Sequence, residues 1–380
     1  MKLFRWLFYL AGAACLAACQ TPVQPYTTLS GLRYADFDTV IDGVENELFV
    51  LTNPAGMEVC VTNYGARVVS IMVPDRTGTM RDVVLGFDSI ADYLNYPNNF
   101  GATIGRYANR IDKGRFELDG QTIQLPVNDN GNTLHGGPNG WYTRMFRGEQ
   151  TDSSSVTLHL VSLDGDENFP GTVKASVTYT VTPDNALQIT YQATTDKKTV
   201  INMTNHSYFN LSGDPSRPAT DHLLYVDADR FTPIDSLAIP NGEPMDVAGT
   251  PMDFRTAKPI DSALVRTDYE AIRNGIGVDH NYLLNTPGDM KTVAASLFSP
   301  TSGIQLEVFT DEPGLQVYSG NYLDGTQTGK KGIAYAYRTA VCLESQHFPD
   351  SPNHPDWPSV ILEPGQTYQS QCIYRFSVQP

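Results

Sequence analysis

The sequence predicts an all-β protein, a single large antiparallel β-sandwich with a groove on one sheet, and three observations support that expectation. Apolar and polar residues alternate with a period of two along most of the chain, as in strands with one face buried. Tight-turn residues punctuate the alternation, with 31 Gly and 25 Pro in the chain. Helix signals are few, and no strand pattern is followed by a long helical one, which argues against a parallel α/β sheet.

The first of those helix signals is Ser89 with Asp92 three positions on, which caps a short helix through Leu94 that Pro97 stops. Phe116, Leu118, Ile123 and Leu125 flank Asp119-Gly120, a dipeptide suited to the positive φ angles of a two-residue hairpin turn. Val156 to Leu160 and Val177 to Val181 are alternating strands, and Thr182 to Asn185 turns the second of them into Leu187 to Tyr191. No linker interrupts residues 36–380 and no period repeats, so this stretch is expected to form one domain.

The first residues are read apart from the fold. Lys2 and Arg5 precede an uncharged run from Trp6 to Ala18, the layout of an export signal. Leu16-Ala17-Ala18-Cys19 looks like a bacterial lipobox, in which residues 1–18 are removed and the thiol of Cys19 takes the lipid. Gln20 in place of Asp fits outer-membrane sorting, and residues 19–35 read as a polar, proline-punctuated tether. The expected product is an exported lipoprotein of the cell envelope, a monomer that meets the membrane only through its lipid.

Lys and Arg number 26 against 42 Asp and Glu, a net charge of -16 that becomes -18 once Lys2 and Arg5 are lost. That balance supplies no basic surface for a phosphate backbone, so nucleic acid is excluded as a partner. The acids are dispersed, which describes a solvated surface and not an interaction tail. Beyond Cys15 and Cys19 the body holds Cys60, Cys342 and Cys372, with no CxxC spacing and therefore no sign of a zinc site. Cys60 and Cys342 lie in apolar stretches and read as core; a disulfide between two of the three is left open.

Five stretches pack polar residues among glycines and aromatics instead of alternating with core positions. They are Phe100 to Ile111, Asn132 to Gly137, Asn202 to Leu211, Gly277 to Asn281 and Val341 to Gln346. The first contains no GxGxxG after a strand and so is not a nucleotide-binding loop. Asn128 to Asn132 is rich in Asn and Asp but lacks the spacing and the terminal Glu of a calcium loop, and is read as a turn.

In these stretches the sequence resembles the aldose 1-epimerase (galactose mutarotase) family. Strings of the type GRxANRI, NTLHGG, TNHSYFNL, VDHNY, PGxQxYxGN and LExQ with PDSPNHP occur in order across roughly residues 36 to 377. The resemblance implies the mutarotase-like supersandwich, with a sugar-binding groove and a free aldohexose as substrate. It makes His206 the general acid at the ring oxygen and Glu344 the general base at the C1 hydroxyl, brought by the fold to opposite sides of one sugar. It also places His135 on the ring-oxygen side, Asn109 and Arg110 on sugar hydroxyls, Asp279 on hydroxyls away from C1, and Gln316 on the floor, with Trp141 or Tyr208 covering the apolar sugar face. No cofactor is required. Some family members are associated with Ca²⁺; a structural ion is left open, with no loop that demands one.

Read from the residues alone, His206 is balanced between catalysis and a structural role, whereas Glu344, entering an apolar strand, favours function. His135 also suits a turn cap, Arg110 a surface ion pair, and Asp279 with His280 a loop hydrogen-bond pair. His222, His347 and His354 read as structural or supporting, and His159 as part of a strand. A glycoside hydrolase would need two carboxylates flanking a bond. A silent sugar-binding module would tolerate loss of the acid or base, and an epimerase of phosphorylated hexoses would need a cationic pocket.

Overall fold

A computed structural model describes residues 27–96 and 98–379. The expected signal segment and Cys19 lie outside the described residues. One layer is a nine-stranded antiparallel sheet whose central strands are Val173–Val181, Ala186–Thr195, Tyr368–Val378 and Ile304–Thr310. Burial alternates strictly along Val173–Val181, so one face takes Val, Ala and Tyr into the core while the other carries Lys, Ser and Thr to water. The hairpin turns at Asp119-Gly120 and at 182–185 form where the sequence places them, with Asp119 at φ 50° and Gly120 at φ 74°. The expected helix spans Ile90–Asn95, its first turn capped by Ser89, whose hydroxyl accepts from the Asp92 N–H.

Opposite this sheet lie a four-stranded sheet (Leu48–Thr52, Glu58–Thr62, Arg67–Pro74, Met80–Asp82) and a five-stranded sheet. The five-stranded sheet ends in Asp279–Leu283, Gly314–Tyr318 and Cys342–Gln346. Between the two sheets runs the strand pair Ala102–Ile104 with Thr204–His206. The two layers share one apolar cluster, in which Val177, Ile189, Tyr191 and Tyr374 meet Val59, Val68, Leu315, Val317 and Leu343. Gly314–Tyr318 and Cys342–Gln346 are buried on both faces.

Two features differ from the sequence expectation. Residues 27–35, read as tether, are packed onto the domain: Leu32 is buried, the Leu29 N–H donates to Glu58 Oε1 at 2.8 Å, and Ser30 donates to Ser70 at 3.1 Å. Trp141 does not face the groove. It sits in the central core with its indole ring against Gly105, where no side chain would fit. Cys60, Cys342 and Cys372 are buried and unpaired.

Gly101 ties the four-stranded sheet to the strand of His206. Its carbonyl accepts from the Val68 N–H at 2.9 Å and from Asn205 Nδ2 at 2.9 Å, and its N–H donates to the His206 carbonyl at 3.0 Å. Its φ is +65°, and a Cβ there would run into the Val68 carbonyl. Gly101→Ala is therefore expected to destabilise the fold by about 2–4 kcal/mol, read as a lowered urea midpoint at unchanged m-value.

Candidate active site

The pleat of the five-stranded sheet builds the site. In Gly314–Tyr318, Leu315 and Val317 point into the core, so Gln316 and Tyr318 point the other way; in Cys342–Gln346, Leu343 points in and Glu344 out. Register sets Gln316 opposite Glu344 and Asn281 opposite Gln316, with Asp279 opposite Tyr318 one row along. On the neighbouring pair, Asn205 is turned inward to Tyr179, which leaves His206 on the outer side. Two short strands, Arg110–Ile111 and Thr133–Leu134, bring Asn109, Arg110 and His135 over the same face.

These groups enclose a cavity of about 270 Å³ lined by Asn109, Arg110, His135, His206, Asp279 and Glu344, together with Asn99, Asp129, Asn130, Leu134, Tyr208, Tyr318 and Tyr322. His206 Nε2 lies 3.7 Å from Glu344 Oε1, so the two stand side by side and not on opposite sides of the cavity. Tyr208 stacks on the His206 ring at 4.9 Å between centroids and 12° between planes, and His135 meets the same ring edge-on at 5.2 Å. Glu344 Oε2 and His206 Nδ1 have no protein partner among the described residues.

Gln316 is not among the cavity-lining residues. It lies behind Asp279, donating from Nε2 to Asp279 Oδ1 at 2.7 Å. The backbone N–H of Asn109 donates to His135 Nδ1 at 3.2 Å, while the His135 N–H donates to the Asn109 carbonyl at 3.0 Å. An accepting Nδ1 leaves neutral His135 with its proton on Nε2, a hydrogen-bond donor. Ligand atoms of His135, His206 and Glu344 lie within 4.8 Å of one another, a spacing that suits a metal ion. A protonated Nε2 is no metal ligand, so this arrangement fits a ring of hydrogen-bond partners better.

Burial dominates the electrostatics. It lowers the His206 imidazole to about 3 and the His135 imidazole well below its ordinary value, in the second case helped by His206 and Arg110. It raises the Glu344 carboxyl well above the usual range, with Asp279 adding to the rise and Arg110 opposing it. Burial raises the Asp279 carboxyl too, against the pull of Arg110 and the Gln316 hydrogen bond. Arg110 loses hydration, but Asp279 and Asp129 outweigh that loss and hold its charge.

The residues that sequence reasoning assigned to the site thus converge, apart from Gln316, which supports it from behind, and Trp141, which lies in the core. Asp129, Tyr318, Tyr322, Asn99 and Asn130 were missed. Tyr318 lay within the PGLQVYSGN string, and Asp129 in the Asn/Asp-rich turn just before NTLHGG. One lay inside a recognised motif and the other just before one, which was the available signal.

Residues 47–375 match the aldose 1-epimerase family. The chain belongs to that family. It is 42% identical over 337 residues to the aldose 1-epimerase of Escherichia coli K12, covering 88% of this chain and 96% of that one. To the galactose mutarotase of Bos taurus it is 40% identical over 322 residues, covering 85% of this chain and 92% of that one. Among solved structures, an aldose epimerase homologue from C. elegans superposes with a TM-score of 0.82 at 31% identity, covering 88% of this chain and all of that one. The fold is accordingly the mutarotase-like one that the motifs imply.

The depressed basicity of His206 and His135 has a direct spectroscopic consequence. In the unliganded protein the His206 ring is expected to stay neutral from pH 8 down to pH 5 and to take its proton only near 3, and His135 to titrate well below its ordinary value. ¹⁵N NMR of the imidazoles reads this; a His206 midpoint near the ordinary value of about 6.5 would contradict it.

Proposed function

We propose that the protein is an aldose 1-epimerase that interconverts the α and β anomers of aldohexoses such as galactose and glucose. The observation that carries this reading is the His206–Glu344 pair at 3.7 Å inside a cavity lined with hydroxyl-binding groups. Anomer exchange takes a proton from the C1 hydroxyl and gives one to the ring oxygen, and both oxygens are bonded to the same carbon. An acid and a base serving them must therefore stand side by side. Glycosidases instead use two carboxylates, held about 5 Å or more apart around a bond. Arg110 is the one Lys or Arg among the described lining residues and is matched by Asp129 and Asp279, a poor setting for a substrate phosphate.

In this reading Glu344 removes the C1 hydroxyl proton while His206 protonates the ring oxygen. The ring opens to the aldehyde, the C1 carbonyl turns about the C1–C2 bond, and closure with the roles reversed delivers the other anomer. Burial favours the neutral form of each group, and in this reading the pair carries one proton, on Glu344 beside a neutral His206. Moving that proton across the pair yields the carboxylate and imidazolium that act, with Arg110 favouring the carboxylate. His135 donates from Nε2 toward the ring-oxygen side, and Asn109, Arg110 and Asp279 hold hydroxyls. Tyr208 offers an apolar face, and Gln316 steadies Asp279. The chemistry is proton transfer alone and calls for no cofactor or metal.

We further propose that the chain is an exported lipoprotein of the cell envelope, supported by the Leu16-Ala17-Ala18-Cys19 string after its charged and apolar lead. It is expected to act as a monomer anchored through Cys19. Membrane fractionation tests this: Cys19→Ala should leave the protein unlipidated and out of the membrane fraction.

Polarimetry of freshly dissolved α-galactose tests the activity. Wild type should accelerate the approach to equilibrium, and Glu344→Gln or His206→Asn should each lower kcat by about 10²–10⁴-fold. Wild type indistinguishable from the spontaneous rate would refute the assignment. The single-proton state is the active one, so kcat/KM should stay level at pH 4 and fall only toward about pH 3, where a second proton enters at His206. It should fall again as pH rises through the raised Glu344 value, where the pair loses its only proton. Ordinary values for both groups would instead place the acid limb near pH 4.5.

A further inference from the structure

We propose that Asp129 is a positioning residue of the sugar site, anchoring Arg110 by its Nε so that the guanidinium's two outer nitrogens stay free for sugar hydroxyls. The inference rests on the sugar-site reading above, but assigns a residue that neither the motifs nor that mechanism uses.

Arg110 is almost fully buried, and its Nε donates to Asp129 Oδ2 at 2.7 Å. Neither Nη nitrogen has a protein acceptor within hydrogen-bond distance among the described residues. A guanidinium presents its donors in a rigid planar fork, so fixing Nε fixes the direction of the remaining donors. Asp129 is itself restrained. Its Oδ1 accepts from Asn130 Nδ2 at 3.1 Å, its N–H donates to the Asn132 carbonyl at 3.1 Å, and Asn128 exchanges two hydrogen bonds with the backbone of Leu134. The turn is thereby stitched to Thr133–Leu134, the strand that pairs with Arg110–Ile111. Arginine and aspartate thus sit on two sides of one small ladder.

Asp129 also sets a balance of charge. Arg110 feels both Asp129 and Asp279. Without Asp129, Asp279 would be the remaining carboxylate pulling on it, and a guanidinium swung onto Asp279 would occupy two hydroxyl-binding groups with each other. The Asp129 pair holds the cation toward the cavity's outer turn and leaves Asp279 to Gln316 and to substrate.

The test is a double-mutant cycle on galactose binding, measured by NMR titration so that weak binding is still read, with kcat and KM from polarimetry. Asp129→Asn should weaken galactose binding and raise KM about tenfold while kcat stays within about twofold, since a positioning contact serves ground and transition states alike. Asp129→Glu, which keeps the carboxylate, should recover most of the loss. In an Arg110→Met background, Asp129→Asn should add less than about twofold. Equal weakening by Asp129→Asn in both backgrounds, or no weakening in either, would overturn the proposal. Should the Asn variant not fold, Asp129→Ser takes its place in the same cycle. Wild type that binds galactose without speeding anomer exchange would overturn the activity reading alone; wild type that does neither overturns both.

Discussion

The pleat of three strands, Asp279–Leu283, Gly314–Tyr318 and Cys342–Gln346, is the constraint on which the rest of the structure depends. A strand sends successive side chains to opposite faces, so a one-residue slip in register would exchange core and site residues together. Leu315, Val317 and Leu343 bury apolar surface against the nine-stranded sheet, and that same burial turns Tyr318 and Glu344 to the cavity and Gln316 to Asp279 on its edge. The hydrophobic effect thereby supplies the free energy that holds the cavity's polar groups in place. Function and stability are not separable at these positions.

The loops over this sheet complete the effect by burying these side chains. Burial pushes Glu344 and His206 each toward the neutral form, two shifts of opposite sign in pKa with one cause. The outcome is a carboxyl and an imidazole side by side, each shifted toward its neutral form. Neighbouring groups then refine that state without reversing it. Asp279 raises Glu344 further, Arg110 lowers it, and the stacked Tyr208 fixes the plane of the imidazole.

Rigidity around the site comes from groups that hold other groups in place. Trp141 fills the space against Gly105, Gly101 lets two backbones approach, and the Asn109 backbone pins the His135 ring. Gln316 and Asp129 each hold one charged side chain by one hydrogen bond. A site of this kind needs its supporting shell as much as its reacting atoms, because a small displacement of an acid or base costs proton-transfer efficiency.

Local sequence sufficed for the elements set by local physics. Period-two alternation, the Asp119-Gly120 turn and the Ser89 cap act within a few residues, and each appears where it was expected. Ordered motifs sufficed for the family and for most of the cavity's lining. The adjacency of His206 and Glu344 was not legible, nor was the retreat of Trp141 into the core, the entry of Asp129 into the site, or the packing of residues 27–35. Each of these depends on contacts between segments far apart in the chain, fixed by register and by closure of two layers over one core. The sequence by itself determined which chemical groups the protein possesses. Only the tertiary structure decided which of them share one cavity, because its lining is drawn from segments far apart in the chain and from none alone.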